Sequence, residues 1–161
     1  MRKTLVAVFL GVGIWSVSTK VASAADFYFI GSSDMEHITI LDPSTIATAP
    51  GGHKTFHLAD ISLDTLWTDT GIEVDCGSSQ ARMTSVISHP AGGDALDLSS
   101  QNQDVNLWHD LDAGSGMAQT RDLVCRYPDQ KPTGNKVMTF PDFHSALEAI
   151  SRMISEKKEG K

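Results

Sequence analysis

From Asp26 to Leu98 the chain is written in short strand-like runs, several with a two-residue period, each cut off by turn-forming residues. That pattern permits few folds. The run Asp26-Phe-Tyr-Phe-Ile-Gly31 is dense in aromatic and β-branched residues, which favour a pleated, half-buried surface. Ser32-Ser33-Asp34 is turn material, and His37, Thr39 and Leu41 then alternate with Ile38 and Ile40. Asp42-Pro43-Ser44 ends this second strand, because proline cannot donate to a ladder and biases its predecessor away from helix. After the break at Ala49-Pro-Gly-Gly52, Phe56 and Leu58 alternate with Thr55 and His57 in a strand over 54–62. Ile72-Glu-Val-Asp-Cys76 places Ile72, Val74 and Cys76 on one face. Gly77-Ser-Ser79 turns the chain into a strand over Arg82 to His89, with Met83, Val86 and Ile87 as core candidates. Pro90-Ala-Gly-Gly93 predicts a hairpin to the short strand Ala95-Leu-Asp-Leu98. Strands joined by so few residues have no room for helical crossovers, so the expected sheet is an antiparallel meander.

The period changes in the second half. Met117, Ala118, Val124 and Cys125 have helical spacing, with Ser115 in the cap position of a helix of two to three turns. Tyr127 to Asn135 holds two prolines and a glycine and reads as a linker or surface loop. Phe143, Leu147, Ile150 and Ile154 then mark one stripe of a C-terminal amphipathic helix. Pro141 suits its first turn, and Lys157, Lys158 and Lys161 complement its dipole. The expected class is α+β, with three segments: 1–24, 25–127 and 128–161.

Residues 1–24 have the three-part layout of a secretory signal. Arg2 and Lys3 precede an apolar run from Leu5 to Val17, and Ala22-Ser-Ala24 supplies the small-residue pattern for cleavage between Ala24 and Ala25. The run is too short for the roughly 20 residues of a spanning helix. Export makes a disulfide permissible, and two cysteines in an exported chain most simply pair with each other. Cys76 and Cys125 lie far apart, without the neighbouring Cys or His of a metal site. Joined, they staple the helix to the sheet face that carries Cys76. No cysteine stands directly after the leader, so no lipoprotein anchor is expected.

Charge narrows the partners. The leader holds three of the thirteen basic residues and none of the twenty acids, leaving ten against twenty. No cluster of lysine or arginine stands ahead of the last few residues, so nucleic acid and anionic membranes are excluded as expected partners.

Taken in order, Phe29-Ile-Gly-Ser-Ser33, Ile40-Leu-Asp-Pro-Ser-Thr-Ile46, Ile72-Glu-Val-Asp-Cys76 and the helix ending Leu123-Val-Cys125 resemble the surface-adhesin protein E-like family of exported bacterial proteins. The similarity spans residues 26–126. It implies an antiparallel sheet of about six strands with a helix held to its concave side by a Cys76–Cys125 bond, and adhesion to a host protein as the function of some members. The missing anchor and the helix after Cys125 depart from that pattern.

Catalytic constellations are absent or ordinary. Gly114-Ser-Gly116 lacks the spacing of a Gly-x-Ser-x-Gly elbow. Asp110-Leu-Asp-Ala-Gly114 departs from a calcium loop, with its glycine early and Arg121 where the bidentate glutamate belongs. His53 and His57 have ligand spacing only on a helix, and the surrounding pattern is strand, so surface or pairing histidines are expected. Trp67 and Trp108 read as half-buried lids over a small core, with partner anchors as the alternative. Asp60, Asp64, Asp69, Glu73 and Asp75 read as a solvated face, or as a negative patch for a basic partner. No cofactor and no metal are expected. The sequence thus predicts a periplasmic or secreted, non-enzymatic module binding a protein or envelope component. An envelope enzyme or enzyme inhibitor is the alternative, and self-association through the C-terminal helix is a third reading.

Overall fold

A computed structural model describes residues 24–33, 37–62 and 67–158. The leader apart from Ala24, with its Trp15, lies outside the described residues, as do Asp34, Asp64 and Lys161.

The described chain runs β1 (Ala25–Ser33), β2 (His37–Leu41), β3 (Ala47–Thr48), β4 (Lys54–Ser62), β5 (Trp67–Asp75), β6 (Gln80–His89), β7 (Leu96–Asp97), β8 (His109–Asp110), α1 (Gly116–Arg126), β9 (Val137–Phe140) and α2 (Phe143–Lys158). Its strands form one sheet in the order β7-β6-β5-β4-β2-β1-β9, with β3 added to β4 and β8 to β6. Every ladder is antiparallel.

The sheet has nine strands, not the six expected. The three unforeseen ones are β3, β8 and β9. Two of these hold two residues each, too few to carry a period. The third, Val137-Met-Thr-Phe140, pairs with Ala25–Tyr28 at the opposite end of the chain, from Ala25↔Phe140 to Tyr28↔Val137. β5 also begins at Trp67, five residues ahead of the apolar run that announces it.

Both faces of the sheet are covered, each by one helix. On one face Tyr28, Leu41, Phe56, Leu58, Ile72, Val74 and Ala81 pack with Val124 of α1. On the other Phe27, Ile38, Ile40, Ala59 and Ile61 pack with Ala146, Ile150 and Ile154 of α2. Neighbours such as Phe27 and Tyr28, or Ile40 and Leu41, are therefore buried together although their side chains point in opposite directions. The apolar stripe of α2 is spent on this sheet, and residues 137–158, read from sequence as linker and appended helix, supply an edge strand and a whole layer.

The disulfide joins Cys76, directly after β5, to Cys125 in the last turn of α1, with the Cα atoms 5.6 Å apart. The Ser115 hydroxyl caps α1 by accepting from the Ala118 amide at 3.2 Å. Ser115→Ala leaves that amide without its acceptor and is expected to cost about 1 kcal/mol, read as an earlier urea midpoint with an unchanged slope. Pro141 stands one residue ahead of the α2 cap rather than in the first turn. The cap is Asp142, whose carboxylate accepts from the Ser145 amide at 2.7 Å and is held below the usual carboxylate range by that bond.

Candidate functional site

Past the footprint of α2, odd-numbered positions of β4 and β5 continue onto uncovered sheet. His57 stands opposite Gly71, and Ala59 opposite Asp69. Diagonal neighbours on one face lie within reach of long side chains. The His57 imidazole reaches across to this diagonal neighbour, and its Nδ1 lies 2.8 Å from Asp69 Oδ1. Trp67 faces His89 across the β5–β6 ladder, and the two rings stack 3.7 Å apart and nearly parallel. Phe143, the first residue of α2, meets Trp67 in a T-shaped contact at 5.0 Å.

These side chains wall a groove of about 330 Å³, bounded by Asp42, Thr45, His57, Trp67, Asp69 and Phe143. Asp42 and Thr45 come from the turn after β2, which this face needs as a rim. The Asp42 carboxylate accepts from the Ser44 amide at 2.8 Å. The Thr45 hydroxyl donates to the Asp42 carbonyl at 2.7 Å and accepts from the His57 amide at 3.0 Å. That hydroxyl clamps the rim to β4. Asp42 Oδ2 and Asp69 Oδ2 hold no hydrogen bond among the described residues.

Farther along the same face, Glu73 is buried, with 7% of its surface exposed. Its Oε2 accepts from Arg82 Nε and Nη2 at 2.9 and 2.6 Å, and its Oε1 lies 2.8 Å from His53 Nδ1. Burial pushes this carboxyl upward, but the bonds from His53 and Arg82 together outweigh it, and the net shift is down. Trp108 closes the cluster, 4.9 Å from the Arg82 guanidinium and edge-on to His53 at 5.2 Å. A buried carboxylate in such a cluster is held by mutual hydrogen bonds and is costly to strip of a partner.

Of the five acids expected on one face, the four among the described residues are dispersed. Asp60 lies on the α1 side of the sheet, bonded to His37 at 3.1 Å and Thr39 at 3.3 Å. Asp69 lines the groove, Glu73 is buried, and Asp75 holds the turn after β5 by accepting from the Gly77 amide and the Ser78 hydroxyl. The Gly77 amide is the main cause of its lowered pKa. His53 and His57 do pair with carboxylates, and both tryptophans are half-buried, Trp67 against the α2-side core and Trp108 over Arg82 and His53 instead of a core cluster. Of the two motifs set aside from sequence, Ser115 is the α1 cap and Asp110 accepts from Gln80 at 2.9 Å. Among the described residues no three His, Cys, Asp or Glu side chains are grouped to hold a metal ion. None of the described helices is long and apolar enough to cross a membrane.

Sequence reasoning missed Asp42, Thr45 and Phe143 as groove residues. Asp42 had a local role as the end of a strand and Phe143 as part of a helical stripe, Thr45 carried no signal of its own, and no local pattern brings the three to β5. No protein-family model, curated protein or solved structure matches this chain.

Proposed function

We propose that the protein is an exported binding module that recognises a protein or cell-envelope partner through the groove beside α2. The groove carries this reading. It combines two carboxylates that hold unused oxygens, an aromatic wall and a histidine on a scaffold stiffened by two helical layers and a disulfide. Half-buried aromatics beside polar groups fixed by the backbone are the ordinary make-up of an interface anchor. Export is supported by the signal-like leader and by the disulfide, and kinship with the surface-adhesin protein E-like family by the four segments and both cysteines.

The enzymatic alternative draws on one contact, the carboxylate-oriented imidazole of His57, which is how a general base is held. The groove's hydroxyl, Thr45, is already committed to the Asp42 carbonyl, which favours binding over nucleophilic chemistry. The test immobilises residues 25–161 and passes envelope and host-matrix extracts over wild type and the pair variant Asp42→Asn/Asp69→Asn. A component retained by wild type and lost by the variant supports the groove. Equal retention by both refutes it, and esterase or glycosidase turnover abolished by His57→Gln establishes the alternative.

A further inference from the structure

The geometry points to a single monovalent cation, the lysine or arginine side chain of a basic partner, as the group that enters the groove. This inference rests on the groove being the recognition site.

Charge decides the sign. Two carboxylates and no lysine or arginine line the walls. Asp42 and Asp69 each keep one oxygen without a donor, and their first oxygens are fixed by the Ser44 amide and the His57 imidazole. The carboxylates are therefore oriented before any ligand arrives, so little ordering cost is left for binding. An anion meets two like charges here. A neutral sugar can donate hydroxyls to these oxygens but brings no countercharge, whereas an ammonium or guanidinium brings both donors and charge.

Shape agrees. At about 330 Å³ the groove is at the low end for ligand pockets, which suits one side chain better than a polymer segment. Trp67 and Phe143 form its aromatic wall. An alkyl stem packs against such a wall while its cationic head reaches the carboxylates, and an aromatic neighbour attracts the charge further. His89 already backs Trp67, so the indole is held in place.

The test follows amide and indole NMR resonances of the oxidised 25–161 protein titrated with Nα-acetyl-arginine methylamide and Nα-acetyl-lysine methylamide. The citrulline analogue serves as the neutral isostere of arginine. Both cations are expected to shift the Trp67 indole and the His57 and Asp69 amides saturably, with citrulline at least tenfold weaker. Asp69→Asn and Asp42→Asn should each weaken the cations roughly tenfold, the scale of one charge-assisted hydrogen bond, while Asp122→Asn, exposed on α1 across the sheet from the groove, leaves them unchanged. Citrulline binding as well as arginine overturns the inference without any variant. So does an Asp122→Asn effect equal to that of Asp69→Asn, which marks diffuse attraction to an acidic protein. If methyl N-acetylglucosaminide shifts Trp67 and the cations do not, the cation is refuted while the groove stands as the recognition site. If neither binds and partner retention is also indifferent to Asp69→Asn, both readings fall.

Discussion

Reducing the Cys76–Cys125 bond is expected to lower the melting temperature by about 15 °C. The closed loop spans 49 residues. Chain-entropy arguments put its constraint on the unfolded state at about 4 kcal/mol. For a domain of this size, about 1 kcal/mol moves the midpoint by roughly 4 °C. The effect is concentrated on α1, which has eleven residues and would be marginal as an isolated helix. Val124 is fully buried against the sheet and continues to hold α1 without the bond, so the reduced protein unfolds earlier but still cooperatively. Calorimetry of the oxidised protein, the protein with reductant, and Cys76→Ala/Cys125→Ala checks this. The two latter samples should melt together, well below the first. Coincidence of all three within 2–3 °C, less than about 1 kcal/mol at this size, would show that the staple contributes nothing to stability.

The parts of the fold legible in the sequence were those with a local cause. Alternation marked β2, β4 and the second half of β5 because a pleat turns neighbouring side chains to opposite faces, aromatic and β-branched density marked β1, and the Ser115 cap and both helical stripes follow from short-range geometry. The disulfide was legible because only two cysteines were available to pair. What was not legible depends on pairing across long stretches. β9 is defined by an edge that β1 leaves open more than a hundred residues earlier, and Glu73 is charged in a strand where only tertiary structure reveals Arg82 and His53 as its partners. The groove is of the same kind. Asp42, Trp67 and Phe143 are far apart in sequence, and each already has a sufficient local explanation.

Glu73→Gln is expected to cost about 2–3 kcal/mol at neutral pH and progressively less in acid. Breaking one partner of a fully buried ion pair costs about 3–5 kcal/mol, and a discount is due because 30% of the Arg82 side chain is exposed. The pH dependence follows from direction. Contacts to His53 and Arg82 overcome the upward push of burial and hold the folded carboxyl below its ordinary value of about 4.5. The unfolded chain therefore takes up the proton first as pH falls, and the stabilisation by Glu73 is fully present above that value. It drains away as pH drops through the lower folded value. The gap between wild type and Glu73→Gln should stay constant from pH 7 to about pH 5 and narrow below it. Arg82→Gln removes the guanidinium and leaves a buried carboxylate supported by His53, so burial regains its weight and the folded carboxyl shifts up. Its deficit should begin to close at a higher pH than that of Glu73→Gln, a difference in onset that mere loss of packing does not produce. Urea midpoints for the three proteins at half-unit pH steps measure both onsets. A gap for Glu73→Gln that stays constant down to pH 3, or onsets that coincide, would mean that the cluster under Trp108 is held by shape and not by charge.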